Sequence, residues 1–373
     1  MSRVLFVTAP ERGHYHVLLG PAQAIAAGGH EVAFYSPCEL AVPYRCYSAS
    51  AAHDLRNRGR ALAETLAVPA ARRAWVESLL LGTVEPELPH LRAAVAAFRP
   101  DVLACDPMVY AGPIVAHEAG LPWVALSSSL NPVLPEGLDS ELLCTVRALA
   151  PARARLFAAH GLEPRFAGCD CLSSHATGVF TVRGLAGEPP PGVTLLGGSR
   201  VAERGDEAEA RIVELDERPL VYVSLGSQNW YQPELLRRIF ALFAGEPVQV
   251  VAAVGSLTAE LAAPSNVTLV PWADQRALLR RARLYVTHAG ANSVFEGLEG
   301  GVPLLMAPLV NDQPHNAWFV ERAGAGRMLD FGSETLRAQL GDSPERHAAS
   351  DLGEELRASD GAAAAARLVL GFA

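Results

Sequence analysis

The sequence predicts an α/β protein made of two doubly wound, Rossmann-like parallel-sheet domains. Three observations carry that prediction. Short apolar runs of strand length alternate with amphipathic helical stretches along most of the chain. The alternation stops at a turn-rich, then acidic, stretch around residues 186–217 and starts again after it. The length, 373 residues, is enough for two cores of ordinary domain size.

The elements follow in order. Arg3–Thr8 is a continuous apolar run suited to a strand buried on both faces. After the loop Pro10–Gly13, a helical pattern runs from about Tyr15 to Ala27, with Leu18, Leu19, Ala22, Ile25 and Ala26 on one side. Gly28-Gly29 ends it, and Glu31–Tyr35 is the next strand, completing a βαβ unit. Leu79–Phe98 has helical spacing. Asp101–Cys105, Pro113–Ala119 and Trp123–Ser127 read as strand, helix and strand, ending at the polar loop Ser127–Ser129. In the second half, Leu220–Leu225, Val248–Val254, Val267–Val270, Leu284–His288 and Pro303–Ala307 read as strands. Pro233–Phe243, Arg276–Arg281 and Ser293–Glu299 read as the helices among them, and Asp351–Leu370 as an Ala-rich helix or pair of helices. The expected organisation is a first domain at 1–200, a linker at 201–218, a second domain at 219–350, and a C-terminal helix at 351–373 packing back on the first domain.

Composition excludes several chemistries. All 31 basic residues are Arg, with no Lys in the chain. That removes a Walker-type phosphate loop, a protein-kinase site and Schiff-base chemistry, each of which needs a Lys amine. The net charge is −9 and no long basic run occurs, so a nucleic-acid partner is not expected. Six cysteines form no CxxC pair; Cys169 and Cys171 make a lone CxC, read as reduced thiols. The opening MSRVLFVTAP is strand-like and too short for a secretory signal, and no apolar stretch reaches spanning length unbroken. The expectation is a cytoplasmic protein without stable membrane insertion, and the sequence is compatible with a homodimer.

In open parallel sheets, ligands bind outside the carboxyl ends of the strands. Those positions are His14, Asp106 and Ser127–Ser129 in the first half. In the second they are Gly226-Ser227, Trp272, His288–Ser293 and Asn311–Gln313. Leu284–His288 runs through small residues into a helix, a loop that presents backbone N–H groups and the positive end of a helix dipole to a diphosphate. His288 and Ser293 can add donors, and Glu296, one turn on, can accept from two neighbouring hydroxyls such as those of a ribose. The loop alone equally admits a plain helix cap. A His just before a helix is disfavoured as imidazolium and can serve as a base, and Asp106, if its strand neighbours the first, can orient it. His16 competes with His14 for that role.

The residues Trp272–Gln313, WADQRALLRRARLYVTHAGANSVFEGLEGGVPLLMAPLVNDQ, closely resemble the donor-binding signature of GT-B glycosyltransferases that use nucleotide-diphosphate sugars, in the family 1, macrolide-glycosyltransferase-like branch. LVYVSLGS at 220–227 and RGHYHVLLGPAQAIAAGGHEV at 12–32 resemble the same family's phosphate-loop strand and N-terminal motif. The resemblance implies a GT-B fold, two Rossmann-like domains facing across a cleft. It also implies an enzyme of natural-product or antibiotic biosynthesis that moves a hexose from a UDP- or dTDP-sugar to a hydroxyl of an apolar acceptor. By the same resemblance Trp272 stacks on the nucleobase with Gln275 beside it, and Ser227, His288, Gly290, Asn292 and Ser293 surround the diphosphate. Glu296 holds the ribose, Asp312 and Gln313 hold the sugar, and His14 is the base with Asp106 its partner. Ser127, Ser128 and Ser129 are expected on the acceptor side. Attack from the face opposite the leaving group implies inversion. No DxD occurs, so neither a metal nor another cofactor is expected. Glu209 and Glu217 match a Glu-x7-Glu spacing found in retaining relatives, and their place in the acidic linker makes the match chance. Val17, Asp274, Ala289 and Ala291 depart from the residues usual at those motif positions. Rival readings are a nucleotide-sugar epimerase of the same fold, a catalytically degenerate sugar-nucleotide-binding protein, and a nicotinamide dehydrogenase. The last is discounted because neither half has GxGxxG after its first strand.

Overall fold

A computed structural model describes residues 1–50, 59–199, 214–331 and 340–373; most of the linker expected at 201–218, including Glu209, lies outside them. The chain divides into two compact units. The first is built on a fully parallel sheet in the order β3-β2-β1-β4-β5-β8-β9. Its elements run β1 (Arg3–Val7), α1 (Arg12–Ala27), β2 (Glu31–Cys38), β3 (Arg45–Ser50), α2 (Gly59–Ala67), α3 (Pro69–Glu77), α4 (Val84–Phe98), β4 (Val102–Cys105), α5 (Ala111–Glu118) and β5 (Trp123–Ser127). They continue with α6 (Glu141–Ala159), the antiparallel hairpin β6 (Arg165–Ala167) and β7 (Asp170–Leu172), β8 (Ala176–Val179), α7 (Arg183–Ala186) and β9 (Val193–Leu195). Of these, α2 belongs to the first unit only in its last two residues, Leu66 and Ala67; Gly59–Thr65 group with the second unit.

The second unit repeats the plan with the parallel order β12-β11-β10-β13-β14-β15. It comprises β10 (Leu220–Ser224), α8 (Pro233–Phe243), β11 (Gln249–Ala253), β12 (Val267–Val270), α9 (Gln275–Leu279), β13 (Ala282–Thr287), α10 (Ala291–Glu299), β14 (Leu304–Met306), α11 (Gln313–Arg322) and β15 (Gly326–Met328), and α12 (Pro344–Ala358) packs on α10. The last helix, α13 (Gly361–Leu370), returns to the first unit and lies along α1.

Both sheets are covered on both faces, which is why their central strands read as unbroken apolar runs. In the first unit, one face of Leu5, Val7, Leu103 and Cys105 packs on α4, α5 and α6. The other face, with Val4, Phe6, Val102 and Ala104, packs on α1 and α13 through Leu18, Ala22, Ala365 and Val369. Helix α1 carries Pro21 in its interior, so the Val17 carbonyl lacks its usual N–H donor; the Ser199 hydroxyl supplies one at 2.5 Å.

One boundary matters for the site. The helix expected from Tyr15 begins at Arg12, with Glu11 as the extended residue before it, so His14 lies inside the first turn rather than ahead of the helix. Gly13 misled the sequence reading. Its penalty applies to helix interiors, whereas first-turn N–H groups have no intrahelical partner to lose. Among the described residues no helix is long and apolar enough to cross a membrane.

Candidate functional site

Each sheet reverses its strand order at one point: between β1 and β4 in the first unit and between β10 and β13 in the second. At both points the paired strands end level, Val7 against Cys105 and Ser224 against Thr287. The loops that leave them part to opposite faces, and the space outside a switch point is where doubly wound sheets take ligands.

At the first switch point α1 delivers His14 and the end of β4 delivers Asp106. His14 Nδ1 lies 2.6 Å from Asp106 Oδ2. The carboxylate is 3% exposed and the imidazole 22%, and Asp106 Oδ1 also accepts from the Met108 N–H at 3.0 Å. With Nδ1–H donated to the carboxylate, the neutral ring carries its lone pair on Nε2, the form a base needs. His16 points into the core, its ring edge-on to Tyr15 with centroids 4.6 Å apart.

The three serines after β5 separate. Ser127 and Ser129 are buried, with their hydroxyls engaged inside the loop. Ser128 Oγ stands 3.4 Å from His14 Nδ1. Behind them is a residue the sequence reading passed over. Asp170, fully buried at the start of β7, contacts Ser127 Oγ at 2.5 Å and accepts from Asn131 Nδ2 at 2.8 Å. Burial pushes its carboxyl up to about 7. Its only sequence signal was an acid set between two cysteines in an otherwise apolar stretch.

At the second switch point two loops close around one imidazole. Gly226, at φ +82°, follows β10, and Gly290 precedes α10. The His288 ring fills the space between them. A Cβ on Gly226 would come to 2.5 Å from its Nε2, and one on Gly290 would meet the same atom and lie 2.9 Å from Cε1. Enclosure pushes the His288 pKa down to about 4, with a hydrogen bond to the Ser224 backbone pulling the other way. The ring is therefore neutral at neutral pH, and positive potential at this loop comes from the α10 dipole and N–H groups.

Around this loop stand the other expected donor residues. Ser227 and Asn292 are half-buried, and Ser293 is buried in the first turn of α10. Gln275 is held at both ends: its amide donates to Glu296 Oε2 at 2.7 Å and its carbonyl accepts from the Tyr285 hydroxyl at 3.0 Å. Tyr285 stacks on Tyr222 at 5.2 Å, so this chain of bonds is anchored in the sheet. Trp272 is half-buried in the loop between β12 and α9, and Asp274 caps α9 by accepting from the Ala277 N–H at 2.9 Å. That cap accounts for an acid at this motif position.

Asp312 is half-buried; Gln313 is buried, and its Oε1 accepts from the Leu309 and Val310 N–H groups at 2.8 and 3.1 Å. Gln313 thus fixes the loop ahead of α11. Sequence reasoning missed Asn316, fully buried one turn into α11. Its Nδ2 donates at 3.0 Å to both the Ala289 carbonyl and Asp312 Oδ2. Ala289 is a non-glycine residue at φ +62°, and Asn316 holds that turn in place.

Comparison with known proteins agrees with this layout. Residues 193–340 match the family model described as UDP-glucoronosyl and UDP-glucosyl transferase. Among curated proteins the chain is 25% identical to an uncharacterized UDP-glucosyltransferase, YojK, of Bacillus subtilis, over 99% of this chain and 97% of the relative. Among solved structures it resembles the glycotransferase of kitacinnamycin at 25% identity and a TM-score of 0.76, covering 100% of this chain and 99% of the other. It also resembles the spinosyn rhamnosyltransferase SpnG complexed with thymidine diphosphate, at 22% identity and a TM-score of 0.67, covering 97% and 98%.

Proposed function

We propose, on the premise that the chain is a glycosyltransferase of GT-B type, that it transfers a hexose with inversion from a UDP- or dTDP-sugar to a hydroxyl of an apolar natural product. The observation that carries the reading is the His14–Asp106 hydrogen bond at the first switch point. His14 Nε2 takes the proton of the acceptor hydroxyl as its oxygen attacks the anomeric carbon, and Asp106 stabilises the imidazolium that forms. The bond to the leaving nucleoside diphosphate breaks on the opposite face, which inverts the anomeric centre.

The second unit handles the donor. The N–H groups at the start of α10, with Ser227, Gly290, Asn292 and Ser293, take the charge that develops on the departing diphosphate. His288, neutral, adds a polar ring nitrogen rather than a charge. Glu296, steadied by Gln275, accepts the ribose hydroxyls. Trp272 stacks on the base, and Asp312 takes the sugar hydroxyls. The diphosphate is held without a divalent metal, so EDTA leaves turnover unchanged. Support for the donor class comes from the UDP-sugar relatives and from the thymidine diphosphate bound to the spinosyn enzyme; support for the acceptor class comes from the natural products named for the kitacinnamycin and spinosyn enzymes.

A panel of UDP- and dTDP-sugars against hydroxylated apolar acceptors, read by mass shift and by the anomeric coupling of the product, tests the reading. His14→Ala is expected to abolish transfer while leaving nucleoside diphosphate affinity intact. Turnover near wild type in that variant would overturn it.

A further inference from the structure

We propose that Asp170 is a positioning residue for the His14–Asp106 pair, one that works as an un-ionised carboxylic acid and holds the serine loop against the dyad. Ser127 Oγ lies 2.5 Å from Asp170 Oδ2 and 3.0 Å from the Ser129 carbonyl. A hydroxyl has one proton and both neighbours are acceptors when Asp170 is ionised, so one of the two contacts is then no hydrogen bond. When the carboxyl carries a proton, both are satisfied. Asp170 Oδ2–H donates to Ser127 Oγ, and Ser127 Oγ–H donates to the Ser129 carbonyl. The Ser129 N–H closes the loop onto Ser127 Oγ at 3.2 Å, and Asn131 Nδ2 donates to Asp170 Oδ1 at 2.8 Å.

The surroundings favour that state. Asp170 is fully buried, and among the described residues no cationic side chain forms an ion pair with it. The titratable groups that act on it through space are Asp106 and His14 from the dyad, and Cys171 follows it on β7, where Arg153 and Cys105 also act. Arg153 spends its guanidinium on the Gly168 carbonyl at 2.9 Å and on the Phe166 ring. Asp106 has the His14 ring and the Met108 N–H as partners, whereas Asp170 faces a hydroxyl that is already engaged with the Ser129 carbonyl. The loop held by this ring of bonds includes Ser128, whose hydroxyl stands beside His14 Nδ1. Ionising Asp170 costs the Ser129 carbonyl its donor and loosens the residue that meets the base.

Asparagine mimics the acid: its amide N–H can donate to Ser127 and its carbonyl can accept from Asn131. Asp170→Asn is therefore expected to keep kcat within about threefold of wild type, and to extend activity to higher pH because its side chain cannot ionise. Asp170→Ala is expected to lose kcat by about tenfold or more with KM for the donor unchanged. The turnover arm rests on the glycosyl-transfer reading; an infrared arm does not. The difference spectrum of wild type minus Asp170→Asn should contain the carbonyl stretch of an un-ionised carboxyl at pH 6 and lose it as pH rises. Glu87, also buried with its carboxyl pushed up to about 7, contributes a band that cancels in this difference. Absence of the band at pH 6, or an asparagine variant as inactive as the alanine variant, would overturn the proposal. Failure of every donor and acceptor with a wild type that still has the band would instead overturn the transfer reading.

Discussion

The His288 ring packed between Gly226 and Gly290 makes a quantitative test of the loop proposed to take the donor. Gly290→Ala forces a Cβ against a ring boxed in on its other side, a small-to-large change that costs about 1–3 kcal/mol where no neighbour can retreat. Gly226→Ala meets the same ring and also places a side chain at φ +82°, which adds about 1–2 kcal/mol. The two penalties have different origins, and His288→Ala separates them. With the ring gone, Gly290→Ala should cost almost nothing, whereas Gly226→Ala should keep the backbone share of about 1–2 kcal/mol. Urea unfolding of the single and double variants at pH 7.5 gives the coupling energies, and titration with UDP and dTDP reports the loop itself. Both glycine variants should bind nucleotide more weakly than wild type. Gly290→Ala costing the same with and without the ring, within about 0.5 kcal/mol, would refute the clamp. A Gly226→Ala penalty that vanished with the ring would refute the strain argument.

Asp106→Asn should lower kcat by about 10²–10⁴-fold, because the imidazolium loses its counter-charge, while UDP and dTDP affinities hold; equal losses in binding and turnover would point to misfolding instead. The His288 pKa is displaced below the ordinary 6.5 to about 4, so its contribution to stability is complete above pH 6.5 and is lost as pH falls from there toward 4. Comparing wild type with His288→Gln should reveal that loss with a slope of up to about 1.4 kcal/mol per pH unit, and parallel stability curves would contradict it. Ser199→Ala leaves the Val17 carbonyl without a donor and should cost about 1–3 kcal/mol by chemical unfolding; an unchanged midpoint would mean that water or a shifted turn serves that carbonyl.

The fold was legible wherever strands are buried on both faces. Arg3–Val7, Trp123–Ser127, Val267–Val270 and Pro233–Phe243 lie where apolar runs and helical periodicity put them, give or take a residue. The hydrogen bond between His14 and Asp106 followed from one condition, that their strands be neighbours, and β1 and β4 are paired. What was not legible is short or lacks alternation. The hairpin β6–β7 and the strands β8 and β9 have three or four residues each; Val267–Val270 is as short and was read, but Arg165, Asp170 and Gly178 interrupt the apolar pattern in β6, β7 and β8. Asp170 lies in that stretch and was hidden with it. Burial was the other blind spot. Nothing in Ser-Ser-Ser says that the first and third hydroxyls turn inward while the middle one faces an imidazole. Asn316 was missed for a related reason: an amide on a polar-looking helix carries no sign of the two loops it ties together.

The return of α13 to lie along α1 makes the first unit discontinuous in sequence: a core begun at β1 is closed by residues that come after the whole second unit. During synthesis the flank of α1 that Ala365, Ala366 and Val369 cover stays uncovered until the whole second unit has been made. The second unit, whose strands lie in one uninterrupted stretch of sequence, can assemble earlier. Vectorial folding would then complete the second unit before the first, so a chain stopped ahead of α13 would hold one finished sheet and one with part of a face bare.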